Sequence, residues 1–164
     1  MVDFWCRLLY TINMNYRHSA HHVYLLNYHL VWCPKRRRKI LVGDVKKRLF
    51  SIIQEVAKEK AFEVIALEIM PDHIHLFVST TPSLPVHSLV KAVKGRSSFL
   101  LRKEFKHLLR IPSLWTHSYF VSTAGNVSSA MIQQYIEEQS KTWDVPFNTA
   151  QNSPTKLRHI VSIG

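Results

Sequence analysis

FEVIALEIMPDHIHLFVST, residues 62–80, contains two apolar-rich runs separated by Pro71 and Asp72. The runs Phe62 to Met70 and His73 to Thr80 predict two antiparallel strands, and the Pro-Asp pair predicts the tight turn between them. Side chains alternate along a strand, so Ile74, Leu76 and Val78 are expected in a core and His73 and His75 on the opposite face.

Upstream, His22 to Trp32 also alternates, with Tyr24, Leu26, Tyr28, Leu30 and Trp32 on the face expected to be buried and Val23, Leu25, Asn27, His29 and Val31 on the other. Pro34 ends that strand, and the basic run Lys35, Arg36, Arg37, Arg38, Lys39 follows. Asp44 is placed to cap a helix from Val45 to about Lys60, whose apolar positions Val45, Leu49, Ile52, Ile53 and Val56 keep the helical period. Downstream of the hairpin, Val86 to Leu109 predicts a second long helix carrying Lys91, Lys94 and Arg96. Ser118 to Ser122 predicts a short fourth strand, and Ser128 or Ser129 a cap for a last helix reaching about Lys141. The order is strand, helix, strand, strand, helix, strand, helix. It implies an α+β fold, a ferredoxin-like (split βαβ) antiparallel sheet with helices on one face and an extra C-terminal helix. Residues 1–16 are expected to form a peripheral extension, 17–145 the domain, and 146–164 a peripheral tail.

The composition narrows the function classes. Among 164 residues, 22 Lys and Arg face 11 Asp and Glu, a formal net charge of +11 that favours a polyanionic partner. Two cysteines, Cys6 and Cys33, are too few for a disulfide framework and lack zinc-site spacing, which fits a reducing interior. No run approaches the ~20 apolar residues of a membrane span, so no membrane partner is expected. No Gly-rich phosphate loop of the Walker type is present, which leaves an ATP-driven mechanism without support.

Three groups of residues have chemical potential. His73 and His75 can hold a divalent ion, although with 10 histidines in the chain the pair also reads as two exposed strand residues. Tyr135 and Gln139 lie one helical turn apart; a phenol oxygen can attack a phosphodiester and an amide can ligate a metal, yet Tyr135 also continues the apolar stripe of Met131, Ile132 and Ile136. Asp72 is a turn residue that can orient His73, and Glu68 is a weaker candidate for the same neighbourhood. His18, His21 and His22 cluster without a further ligand nearby. The run Lys35, Arg36, Arg37, Arg38, Lys39 and the helix cations Lys91, Lys94 and Arg96 are the expected phosphate contacts.

Taken together, NYHLVWCPKRRRKIL (27–41), MPDHIHLFV (70–78) and YIEEQ (135–139) resemble the single-tyrosine transposases of the IS200/IS605 insertion-sequence family, a branch of the HUH nucleases. The resemblance spans about residues 16–141. It implies a homodimer that cuts and rejoins single-stranded DNA at insertion-sequence ends, recognises subterminal hairpins, and uses Mg²⁺ or Mn²⁺. It further implies Tyr135 as the nucleophile that forms a 5′-phosphotyrosine, and His73, His75 and Gln139 as metal ligands. The family can exchange its tyrosine helix between subunits, and Gly125 is a permissive place for that crossing. Where the commonest pattern has Asn, this chain has Glu138, which reads as an outward-facing surface group in preference to a carboxylate that alters charge near the metal. The implied setting is the prokaryotic cytoplasm, with the protein on the nucleoid when bound to DNA. Two other readings stay open at this level. One is a related HUH nuclease that processes repeat hairpins without transposition, and the other a non-catalytic nucleic-acid-binding protein.

Overall fold

The hairpin expected in residues 62–80 forms one half of a four-stranded antiparallel sheet in a computed structural model of the chain, which describes residues 16–21 and 23–124. In chain order the elements are β1 (Arg17–His18), β2 (Val23–Tyr24), β3 (Leu26–Trp32), α1 (Gly43–Lys60), β4 (Glu63–Ile69), β5 (Ile74–Thr80), α2 (Val86–Glu104) and β6 (Phe120–Ala124). The sheet order is β4-β5-β3-β6, and every neighbouring pair is antiparallel. Two strand-helix-strand units thus interleave, which is the split βαβ arrangement the element order implied. β1 and β2 pair apart from this sheet.

Both helices lie against one face. Val45, Leu49, Ile52, Ile53 and Val56 of α1 join Leu89, Val90, Val93 and Leu101 of α2 over Leu30 and Trp32 of β3 and Ile74, Leu76 and Val78 of β5. Burying such a side chain contributes roughly 1.5–3 kcal/mol, so this apolar layer dominates the stabilisation of the domain. α1 ends where Ala61 turns left-handed at φ 55°, with its amide bonded to the Ala57 carbonyl.

Four local expectations are corrected. The strand over residues 22–32 is interrupted at Leu25, and its second half is buried on both faces, since His29 and Val31 are 4% and 8% exposed. Asp44 does not cap α1; Val42 occupies the cap without a side-chain bond, and Asp44 pairs with Lys47 on the surface. The second helix stops at Glu104 instead of Leu109, because Phe105 leaves the helical region (φ −110°, ψ 91°) and a 3₁₀ turn, Lys106–Arg110, follows. That break lets Leu108, Ile111, Leu114 and Trp115 turn back into the core, where Trp115 Nε1 donates to Ser97 Oγ at 3.1 Å. The last strand begins two residues late and runs through Ala124, as an edge strand beside β3. Tyr135, Glu138, Gln139, Gly125 and the helix predicted to carry the tyrosine lie outside the described residues, as do both peripheral segments apart from Tyr16.

Candidate active site

The face of the sheet turned away from α1 and α2 collects the polar chemistry. Register pairs share a face in an antiparallel sheet, and Val31 opposes His75, His29 opposes Phe77, and Glu68 opposes His75 from the other side. His73 enters from the turn, where the Met70 amide donates to its carbonyl at 2.9 Å. The His73 and His75 rings are 5.1 Å apart between centroids and nearly perpendicular, at 77°. His73 is 4% exposed and His75 is fully buried. The pair expected at a metal is thus brought together on one rigid edge of polypeptide, and it is not exposed to solvent.

Each ring is held through its Nδ1. Asp72 Oδ1 lies 2.6 Å from His73 Nδ1, and His29 Nε2 lies 3.0 Å from His75 Nδ1. A carboxylate next to Nδ1 accepts its proton and thereby places the lone pair of His73 on Nε2, the orientation a metal ligand needs. His29 can do the same for His75 by accepting with Nε2. Burial pushes the His29 imidazole down to about 4. It pushes His75 down to about 3, assisted by repulsion from His29 and His73. Both rings are therefore neutral at physiological pH and suited to coordination. Burial alone raises the Asp72 carboxyl, but the hydrogen bond and charge of His73 and the charge of Arg37 outweigh it and hold the group below its ordinary value.

His29 is the residue that sequence reading passed over as a site group. The signal was its place in the alternation, on the face opposite Leu30 and Trp32; only the β3–β5 register puts it beside His75. It also stacks on Phe77, with centroids 4.1 Å apart and planes 8° from parallel.

The expected phosphate contacts divide. Arg36, Arg38, Lys39 and Lys91 are exposed, and Lys35 is half-buried with its amide bonded to the Leu114 carbonyl at 2.8 Å. Arg37 instead reaches inward, its Nε 2.9 Å from Asp72 Oδ2, so one member of the basic run is tied to the residue that holds His73. Arg36 and Arg37 both sit in the left-handed region, at φ 58° and 51°, a conformation that costs roughly 1–2 kcal/mol per non-glycine residue. Lys94 directs its ammonium to the carbonyls of Thr116, His117 and Ser118 at 2.8, 3.2 and 3.2 Å. An ammonium has three donors, so the geometry gives Lys94 a structural role in fastening this loop to α2. Arg96 pairs with Glu59 across the helices.

Among the described residues no group of three or more His, Cys, Asp or Glu side chains is arranged to hold a metal ion. The two imidazoles nonetheless fit a site completed from elsewhere in the chain: they are adjacent, buried, and each held through Nδ1.

Residues 22–139 match the family model described as "Transposase IS200 like". The chain belongs to the IS200-like transposase family. It is 42% identical over 121 residues to the ISDra2 transposase TnpA of Deinococcus radiodurans, covering 72% of this chain and 86% of that one. It is 32% identical over 123 residues to the transposase for insertion sequence element IS200 of Salmonella typhimurium, covering 73% and 80%. A crystal structure of a Deinococcus radiodurans protein described as a transposase superposes with a TM-score of 0.63 at 39% identity, over 75% of this chain and 97% of the other. A REP-associated tyrosine transposase bound to a REP hairpin shares the fold, with a TM-score of 0.51 at 18% identity over 84% and 86% of the two chains. As an IS200-like transposase, the protein is an enzyme of DNA cleavage and transfer. No helix among the described residues is long and apolar enough to cross a membrane.

Proposed function

We propose that this transposase cleaves and rejoins single-stranded DNA at insertion-sequence ends, with Tyr135 as nucleophile and His73, His75 and Gln139 as ligands of Mg²⁺ or Mn²⁺. The observation that carries the reading is the buried His73 and His75 pair, each ring fixed through Nδ1 by Asp72 and His29, in a chain of this family. A divalent ion held there would place positive charge against the phosphate oxygens and the departing 3′ oxygen. Tyr135 Oη forms the new bond to phosphorus and loses its proton. The P–O3′ bond breaks, and the leaving oxygen takes up a proton to become a 3′ hydroxyl. The 5′-phosphotyrosine retains the bond energy, so attack by another 3′ hydroxyl rejoins strands without an external energy source. Asp72 and His29 hold their imidazoles in the required tautomer, and burial keeps His75 neutral. Arg36, Arg38, Lys39, Lys35 and Lys91 meet backbone phosphates, and the partner is single-stranded DNA with subterminal hairpins. The working unit is a homodimer in which one subunit can present its tyrosine helix to the histidines of the other.

The test is covalent capture. The purified protein is incubated with single-stranded DNA from both flanks of its gene, with and without Mg²⁺ or Mn²⁺, and resolved on a denaturing protein gel. A metal-dependent adduct lost in Tyr135→Phe is the expected result. Tight binding without any adduct would move the reading to a non-catalytic DNA-binding role.

A further inference from the structure

Gly95 stands near the middle of α2, exposed and in an ordinary helical conformation, since its φ is not positive. A Cβ added there would meet no atom within 4 Å. Neither backbone geometry nor crowding therefore demands glycine, although glycine is the least favourable helix residue after proline. What the position does border is an open groove of about 510 Å³, lined also by Phe99, Arg102, Lys103, Lys106 and Leu109. Positions 95, 99, 102 and 103 follow the helical period along one stripe of α2, and Lys106 and Leu109 of the 3₁₀ turn after Phe105 complete the lining. Phe99 is 66% exposed and Leu109 51% exposed, so two apolar side chains that could have joined the core face solvent here. No acidic side chain lines the groove.

We propose that this groove is an accessory single-strand DNA site, in which an unpaired base stacks on Phe99 and its neighbouring phosphates lie against Lys103 and Lys106. The absent Gly95 side chain leaves room for the nucleotide to approach the helix. A flat aromatic face beside clustered cations suits a base attached to a charged backbone, because every base offers a π-face. The same cations oppose a second copy of this chain on the groove, since a symmetric contact would bring two sets of Arg102, Lys103 and Lys106 together. His73 and His75 belong to the face of the sheet turned away from α2, so the groove is separate from the candidate active site. The inference rests on the single-strand DNA reading above.

The experiment measures binding of a fluorescent oligo-dT to the full chain by anisotropy across a salt series, with thermal melting in parallel. Gly95→Gln fills the groove while removing a helix-destabilising glycine, so it is expected to raise Tm and to weaken oligo-dT binding. Phe99→Ala is expected to weaken binding roughly tenfold with the salt slope unchanged, as for loss of one stacked base. Lys103→Gln and Lys106→Gln are each expected to lower the slope of log K against log salt by about 0.7. If the wild type binds oligo-dT and the Gly95 and Phe99 variants bind it equally well, the groove proposal is overturned while the single-strand reading stands. If the wild type binds no single strand, both fall. If the variants change sedimentation and not affinity, the groove is an interface between copies and the proposal is overturned.

Discussion

His29 on β3 and His75 on β5 face each other across the sheet with Nε2 and Nδ1 3.0 Å apart, and His29 is at the same time stacked on Phe77. The stack and the burial fix the plane of His29, and the hydrogen bond passes that orientation to His75. Asp72 plays the corresponding part for His73, with Arg37 bonded to its second oxygen. The two candidate ligands are thus oriented by different elements, one by the neighbouring strand and one by the hairpin turn, which Arg37 of the basic run braces.

Replacing His29 tests the first arm. His29→Phe keeps an aromatic ring against Phe77 but removes the acceptor, and Mn²⁺ affinity by calorimetry is expected to fall about 10–100-fold. His29→Gln retains an acceptor and should recover part of that loss. Equal affinity in all three proteins would remove His29 from the site.

Replacing Asp72 tests the second arm. Asp72→Ala leaves the His73 tautomer unspecified and should lower Mn²⁺ affinity by a similar ~10–100-fold. Arg37→Gln should have a smaller effect, because it acts on Asp72 and not on the imidazole. A larger loss in Arg37→Gln than in Asp72→Ala would contradict this order.

The metal-free protein should lose stability on mild acidification. Above pH 6.5 neither the folded nor the unfolded state protonates His29 or His75; below it the unfolded chain takes up protons that the buried rings refuse until about pH 4 for His29 and about pH 3 for His75. Stability therefore falls as pH drops from 6.5 towards 4, by up to ~1.4 kcal/mol per pH unit for each ring. Urea unfolding at pH 7.5, 6 and 5 in the presence of chelator reads the slope directly, and His29→Phe should flatten it.

Lys94 and Lys91 should separate cleanly. Lys94→Met abandons three carbonyls and is expected to cost about 1–3 kcal/mol of stability, with little change in the salt dependence of DNA binding. Lys91→Gln, on the exposed surface, should leave urea unfolding unchanged and lower the salt slope for single strands by about 0.7. A lowered salt slope in Lys94→Met would return that residue to the DNA contacts.

By itself the sequence determined the architecture, because patterns of period 2 and 3.6 state which face each element must bury. The alternation of Ile74, Leu76 and Val78 with His73 and His75 separated the core face from the chemical face, and the α1 stripe read correctly for the same reason. Local boundaries were less legible. Nothing in the run from Lys103 to Leu109 marks the break at Phe105, which follows from the need of Trp115 and its neighbours to close the core end. The fates of like charges were not legible either: Arg37, Lys94 and Lys39 are equally basic in sequence, yet one holds Asp72, one fastens a loop and one faces solvent. Tertiary structure decided these, and it decided the meeting of His29 with His75, since residues 46 positions apart become neighbours only through strand register. Periodicity is a property of adjacent residues and is written along the chain; a hydrogen-bond partner across a sheet is a property of pairing, and it exists only once the strands have aligned.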